Sequence, residues 1–164
     1  MDLGLAGKRA IVPGSTKGIL RRVVEQLVDE GCDVAICSRS EDTVARALRE
    51  LSGGRGKVYG RACDVLDKDD YEAWIAEMAQ AMGGVDIFIP GVSAGGGSDS
   101  EKNWWKNFEV DVLSTVRGCE VAVPLMQAGG GGAITMVTTT ASLETFGGPQ
   151  AYNALKGSLL IYAK

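Results

Sequence analysis

Two groups of residues in this 164-residue chain have the types and the spacing to do chemistry. Tyr152 and Lys156 stand four positions apart, and on a helix that spacing puts both side chains on one face, a turn apart. An ammonium beside a phenol favours the phenolate, which makes a tyrosine a better proton donor and acceptor near neutrality. The same spacing is also common among ordinary surface and packing residues. Earlier in the chain, Gly14, Ser15, Thr16, Lys17, Gly18 and Ile19 form a glycine-bounded turn between an apolar run and an amphipathic one. Glycines at such a junction let the backbone turn tightly and approach a phosphate, whose charge the following helix N-terminus favours. Any strand–helix junction can use glycine, so the turn alone leaves a purely structural role open. The chain has no histidine, which excludes Ser-His-Asp and Cys-His mechanisms and His-ligated zinc.

Regular elements must hold these groups in place. Short, nearly continuous apolar runs at 9–12, 33–38, 57–62, 85–89 and 133–137 read as parallel strands covered on both faces. Between them lie three apolar stripes at helical spacing: Ile19, Val23, Val24, Leu27 and Val28; Tyr71, Trp74, Ile75, Met78 and Met82; and Trp105, Phe108, Val112, Val116, Cys119, Val123 and Met126. Strand–helix alternation along the whole chain predicts one α/β domain over 1–164, a doubly wound parallel sheet in the order 3-2-1-4-5. Ligands of such sheets bind outside the carboxyl ends of the strands, where the glycine-rich junctions fall. The segments 94–100 and 129–132 read as loops there.

The strand ends add charge. Where an acid would bind a ribose 2′-hydroxyl, Ser38 is followed by Arg39, a planar cation suited to a 2′-phosphate, and Lys17 adds a second charge. Two solvated surface charges are the alternative. Asp64 and Val65 follow the third strand, where a simple turn aspartate is the plain reading. Gly91 follows the fourth and leaves room for a ligand.

In order and spacing, residues 5 to 164 resemble the short-chain dehydrogenase/reductase family, and the 3-oxoacyl reductases in particular. The opening LAGKRAIV and the turn Gly14–Gly18 resemble its TGxxxGxG phosphate turn, and Tyr152 and Lys156 its YxxxK pair. Thr139 stands thirteen residues before Tyr152, the family's step between active-site serine and tyrosine. The resemblance implies that Tyr152 is the general acid/base toward a carbonyl or secondary alcohol during hydride transfer. It implies that Lys156 tunes Tyr152 and binds the nicotinamide ribose, and that Thr139 orients the carbonyl. Asp111 takes the place of a catalytic asparagine, and a carboxylate there would pair with Lys156 and partly cancel its effect. Lys17 and Arg39 mark NADP(H) preference, and Asp64 and Val65 the adenine contact. Departures fall at Pro13, Leu20, Pro90, Gly91, Asp111 and Thr139; Leu20 stands where the third glycine belongs and should crowd the turn or the cofactor. Their concentration keeps a second class open, a cofactor-poor pseudoenzyme acting as an interaction subunit. A flavodoxin-like binding domain is a more distant third, disfavoured by the two charge-bearing pairs. The family joins its subunits through two helices that resemble the third stripe and the segment beginning near Tyr152, which implies a homo-oligomer, a dimer or tetramer. The family's later strands and substrate-covering loop have no counterpart, and the last helical segment ends without a cap signal, so the sequence reads as truncated.

Composition bounds the rest. Seventeen basic against 21 acidic residues give a net charge of −4, too mild and too acidic for a nucleic-acid surface. No apolar run has the length of a membrane span, and the first residues lack a signal-peptide core. Cys32, Cys37, Cys63 and Cys119 show no CxxC pairing and read as buried thiols of a cytoplasmic protein, with no metal expected.

Overall fold

The computed structural model describes residues 3–144 and 147–164. Strand β1 (Arg9–Val12) lies between β2 (Asp33–Ser38) and β4 (Ile87–Phe88); β3 (Val58–Ala62) flanks β2, and β5 (Ala133–Ile134) flanks β4. All pairings are parallel, and the order is the predicted 3-2-1-4-5. Successive strand residues face opposite sides. Ala10, Val12, Val34 and Ile36 therefore meet α1 (Gly18–Asp29) and α2 (Glu41–Leu51), through Leu20, Val24, Leu27, Val28, Ala47 and Leu51. Ile11, Ala35, Cys37 and Phe88 point the other way, onto α3 (Lys68–Met82) and α5 (Ser114–Ala128). There Tyr71, Trp74 and Ile75 are wholly buried, and Tyr71 stacks on Trp74 at 6.2 Å. Each such side chain contributes about 1.5–3 kcal/mol of burial. The α6 helix (Gln150–Tyr162) packs on α4 (Glu101–Asn107) and on a π-helical turn, Phe108–Leu113, that joins α4 to α5.

Local chemistry sets the ends of these elements. Ser40 caps α2 by accepting from Thr43 N, and Asp67 caps α3 by accepting from Asp70 N. Gly83 closes α3 in the left-handed conformation, at φ +78°. β4 and β5 are shorter than the expected 85–89 and 133–137. Pro13 and Pro90 follow the apolar ends of β1 and β4, and neither has an N–H to extend the ladder. Its last bond on that side runs from Ile89 N to Ile11 O, at 2.9 Å.

Two of the three apolar stripes need correcting. Ile19 is 75% exposed, and Leu20 takes its place in the core, so the buried face of α1 is Leu20, Val24, Leu27 and Val28. In the third stripe Cys119 and Met126 are buried, but Trp105 is 60% exposed and Val123 is exposed as well. The π turn inserts a residue and rotates α4 relative to α5, so no uniform period describes both helices. The second stripe is buried as expected.

The four cysteines are free and buried. Burial pushes the Cys32 thiol up to about 12, and contact with Cys37 together with burial raises that of Cys63. Among the described residues no helix is long and apolar enough to cross a membrane, and no cluster of side chains has metal-ligand composition.

At the amino edge, Asp86 ties β1 to β4. Its Oδ2 accepts from Arg9 N at 2.9 Å and from Arg9 Nε at 2.7 Å, and its Oδ1 accepts from Nη2 at 3.0 Å. Arg9 also donates to Gly83 O. The hydrogen bond from the Arg9 side chain is the main cause that holds the Asp86 carboxyl below its ordinary range. Its stabilising contribution is therefore complete above the unfolded value of about 4 and is lost as pH falls through the folded one. Asp86→Asn should cost about 1–2 kcal/mol at pH 7 and clearly less at pH 3, read from urea midpoints. An equal loss at both pH values would show that the charge is irrelevant.

Candidate active site

Because all strands run the same way, every segment that follows a strand emerges at one edge of the sheet. That edge carries Gly14 to Ile19 after β1, Ser38 and Arg39 at the end of β2, Asp64 and Val65 after β3, Gly91 after β4 and Thr139 after β5. The turn after β1 needs its glycines: Gly14 and Gly18 both have φ +68°, a conformation other residues rarely adopt. A side chain on Gly14 would also collide with Val92. Ser15 is buried, its hydroxyl donating to Val12 O at 2.6 Å, so it braces the turn and does not face a ligand through its side chain. Thr16 is half-buried, while Lys17, Gly18 and Ile19 are exposed. Lys17 occupies the N-cap of α1 without capping it, which leaves the first-turn N–H groups without a side-chain partner.

Lys17 and Arg39 are exposed, and among the described residues neither enters an ion pair. Ser38 is occupied locally: its hydroxyl donates to Ser40 O at 3.2 Å and accepts from Ser40 N at 3.4 Å. Asp64 Oδ1 accepts from Leu66 N at 3.1 Å, the turn role that was its plain reading. Val65 is buried in the core, leaving only its backbone for a ligand. Leu20 does not intrude on the turn as expected. It is wedged beneath Gly91, with only 6% of its surface exposed.

Across the edge, α6 presents Tyr152 and Lys156 in consecutive turns. Lys156 is buried and held from two sides: Nζ donates to Val137 O at 3.3 Å and lies 3.0 Å from Asp111 Oδ1. No well-angled hydrogen bond reaches that Oδ1, so the contact is an ion pair rather than an aligned bond. Asp111 is 1% exposed, in the π turn, and its Oδ2 accepts from Ala94 N at 2.9 Å. One carboxylate thus joins α6, the π turn and the loop after β4. Thr139 accepts from Ala141 N through Oγ1 at 3.3 Å, which leaves its hydroxyl proton free to donate. Tyr152 is half-buried, and its hydroxyl makes no hydrogen bond among the described residues.

Sequence inspection missed the residues that wall the tyrosine. Asn107 is fully buried one turn before Asp111; its Nδ2 donates to Gly96 O at 2.9 Å and Asn103 O at 2.8 Å. Gly96 packs against Pro149 and the Cβ of Tyr152, closely enough that a side chain on it would meet Pro149. Asp99 Oδ1 accepts from Gln150 N at 2.6 Å. The loop 94–100 is therefore a pinned wall beside Tyr152. The signal was a polar series, Asn103, Asn107 and Asp111, at four-residue spacing.

Comparison with known proteins agrees with this geometry. The short chain dehydrogenase family matches residues 8–164. Dehydrogenase/reductase SDR family member 4 of Oryctolagus cuniculus is 32% identical over 161 residues, covering 95% of this chain and 62% of the relative. An uncharacterized oxidoreductase, YvrD of Bacillus subtilis, is 31% identical over 164 residues, covering 98% and 62%. Among solved structures, L-sorbose reductase from Gluconobacter frateurii, complexed with NADPH and L-sorbose, superposes with a TM-score of 0.92. It is 28% identical, over 99% of this chain and 64% of that one. The chain thus spans about three fifths of the length of the curated relatives it matches.

The buried pair gives a direct stability test. Asp111→Ala would leave a buried ammonium uncompensated and an N–H without its acceptor, and should cost about 3–5 kcal/mol in urea unfolding. Asp111→Asn keeps an acceptor for Ala94 N and should cost clearly less. Equal losses would mean that the acceptor for Ala94 N contributes nothing and that the lost charge accounts for the whole cost.

Proposed function

Since the chain belongs to the short-chain dehydrogenase/reductase family, we propose that it is an NADP(H)-dependent oxidoreductase interconverting a carbonyl, 3-oxoacyl or similar, and a secondary alcohol. What carries this is the grouping, along one sheet edge, of two cations without ion pairs among the described residues, Lys17 and Arg39, with Thr139 and the Tyr152–Lys156 pair. The residues present fit the adenosine part of such a cofactor: a glycine turn, uncapped first-turn N–H groups, and cations placed for a 2′-phosphate. A bound nicotinamide would supply or accept the hydride. The chain supplies the rest. Thr139 donates its free hydroxyl proton to the substrate oxygen and fixes its position. Tyr152 gives that oxygen a proton during reduction and removes one during oxidation. Lys156, held at Val137 O, places its ammonium group one helical turn from Tyr152. The wall at 94–100 excludes water from one side of Tyr152.

A second reading, a related protein whose turnover is impaired, is favoured by one observation. Asp111 neutralises Lys156 at 3.0 Å in a buried setting, where such pairing is least screened. Both readings include self-association: Trp105, Ile161 and Tyr162 leave apolar surface exposed along α4 and α6, suited to a second copy of the chain. Four free thiols support a cytoplasmic setting.

Fluorescence titration tests the cofactor. NADPH should bind more tightly than NADH, and Arg39→Ala should weaken NADPH by at least about tenfold, the effect of one charge-assisted hydrogen bond. Equal binding of both cofactors, or no response to Arg39→Ala, would reduce the two cations to surface charge. NADPH consumption with a panel of carbonyl compounds tests the chemistry. Tyr152→Phe should lower any rate by about 10²–10⁴-fold. Asp111→Asn should raise it if the ion pair is what limits turnover, and an unchanged rate would remove the basis of the second reading.

A further inference from the structure

Polar residues at four-residue spacing along α4 and the π turn hold three points of the loop after β4. Asp111 Oδ2 accepts from Ala94 N at 2.9 Å, Asn107 Nδ2 donates to Gly96 O at 2.9 Å, and Asn103 Nδ2 donates to Ser98 O at 3.0 Å. Steps of four along the helix thus meet steps of two along the loop, running the opposite way. A helix rises about 6 Å in four residues, within the reach of two loop residues, so the spacings stay in step. The loop needs these pins. Gly95, Gly96 and Gly97 have φ of +77°, +84° and +102°, and glycine brings no side chain to select one path among many.

Asn107 is the middle pin and the unusual one. It is 0% exposed, and its amide nitrogen donates to two carbonyl oxygens, Gly96 O and Asn103 O, which fixes which end of the amide faces them. Its Oδ1 is buried and finds no hydrogen-bond partner among the described residues. A leucine would fill a similar volume without burying a partnerless acceptor, so stability alone does not account for the amide. What the amide secures is Gly96. That glycine lies against α6: a Cβ on it would stand 3.7 Å from the Tyr152 Cβ and 3.1 Å from Pro149 Cγ. Farther along the same loop, Asp99 Oδ1 accepts from Gln150 N at 2.6 Å, at the start of α6. The loop therefore meets α6 at Pro149, Gln150 and Tyr152.

We propose that Asn107 is a positioning residue for Tyr152, acting through Gly96 and the loop 94–100 to set where the phenol meets a substrate oxygen. This rests on the oxidoreductase reading above and adds a residue to it. Asn107 itself touches neither substrate nor cofactor; it holds the loop, and the loop holds the first turn of α6.

The experiment uses two variants of the full chain. Asn107→Leu removes the donors and the partnerless acceptor together, and Asp99→Ala, at an exposed residue, releases Gln150 N without disturbing the core. Urea midpoints, NADPH affinity, kcat and KM for NADPH-dependent reduction of ethyl 3-oxobutanoate, and hydrogen exchange over 94–100 and 149–153 are measured. Asn107→Leu should keep or raise the urea midpoint and keep NADPH affinity within about threefold, while kcat falls by about 10–100-fold. Exchange in both segments should quicken by at least about tenfold, with that of the sheet unchanged. Asp99→Ala should lower kcat by less, and the double variant should be no slower than Asn107→Leu, because both act through one loop. A midpoint, NADPH affinity and kcat that fall together, or failure of Asn107→Leu to fold, would reveal a merely structural role and overturn the proposal. An unaltered kcat in Asn107→Leu, or unaltered exchange at 149–153, also overturns it and leaves the oxidoreductase reading standing. If the unaltered chain reduces neither this ester nor any other carbonyl compound, the oxidoreductase reading falls. Exchange then decides alone: quickening at 149–153 upholds the placement of Tyr152 by Asn107, and its absence overturns it.

Discussion

Parallel pairing is the constraint on which the other features depend. A strand buried on both faces must begin at one edge of the sheet and end at the other, and each return needs a helix packed over a face. In this chain that forces five separate stretches, spread over more than a hundred residues, to surface along one line. No contact between Gly14 and Thr139 is needed to bring them to the same edge; the sheet does it. The opposite edge is correspondingly structural, and there the Arg9–Asp86 pair ties adjacent strands together without facing any of the candidate chemistry.

Within that edge the unusual residues compensate one another. Leu20 is a large side chain where close helix–strand approach favours glycine, and it is accommodated because Gly91 is small enough to receive it. Val92 in turn rests on Gly14. Pro13 and Pro90 terminate neighbouring strands together, so neither strands an acceptor opposite a continuing partner. Asp111 puts a negative charge in a site that is 1% exposed, and it persists there because Lys156 and Ala94 N meet it. Desolvating two charges offsets much of their attraction, so the pair contributes position more than stability. It fixes Lys156, the π turn and the wall of Tyr152 as one unit. Freedom of movement around the tyrosine is lost in the same step.

Much of this was legible in the residues. β1 and β2 begin and end where the apolar runs do, because those runs are uninterrupted and lie in the middle of the sheet. The third helix was legible too, since Tyr71 to Met82 keep one period throughout. What escaped has physical causes. Ile19 and Leu20 are adjacent and both apolar, so composition cannot say which faces the core; the phase is set by where Gly18 starts the helix. The π turn breaks the period without leaving a glycine or proline to mark it. Spacing also brought the lysine–aspartate pair into view, because both residues sit at positions of a recognisable family. Asn107 and Val92 were invisible for the opposite reason: their partners, Gly96 and Gly14, are fixed only by the loop path through space.

The electrostatics of the edge are local rather than global. A chain with net charge −4 repels a polyanionic ligand at long range, though only weakly beyond the Debye length of about 8 Å at physiological salt. Inside that distance a ligand meets Lys17, Arg39 and the partial positive charge at the start of α1, all on the β2–β3 side. On the Tyr152 side the buried cation Lys156 is already matched by Asp111. The edge is thus electrically divided, attractive to phosphate where the turn and β2 end and nearly neutral where the proton chemistry would occur. A ligand captured by the first half arrives with no comparable charge–charge attraction drawing it across to the second. Shape and hydrogen bonding alone must bring it over to the Tyr152 side.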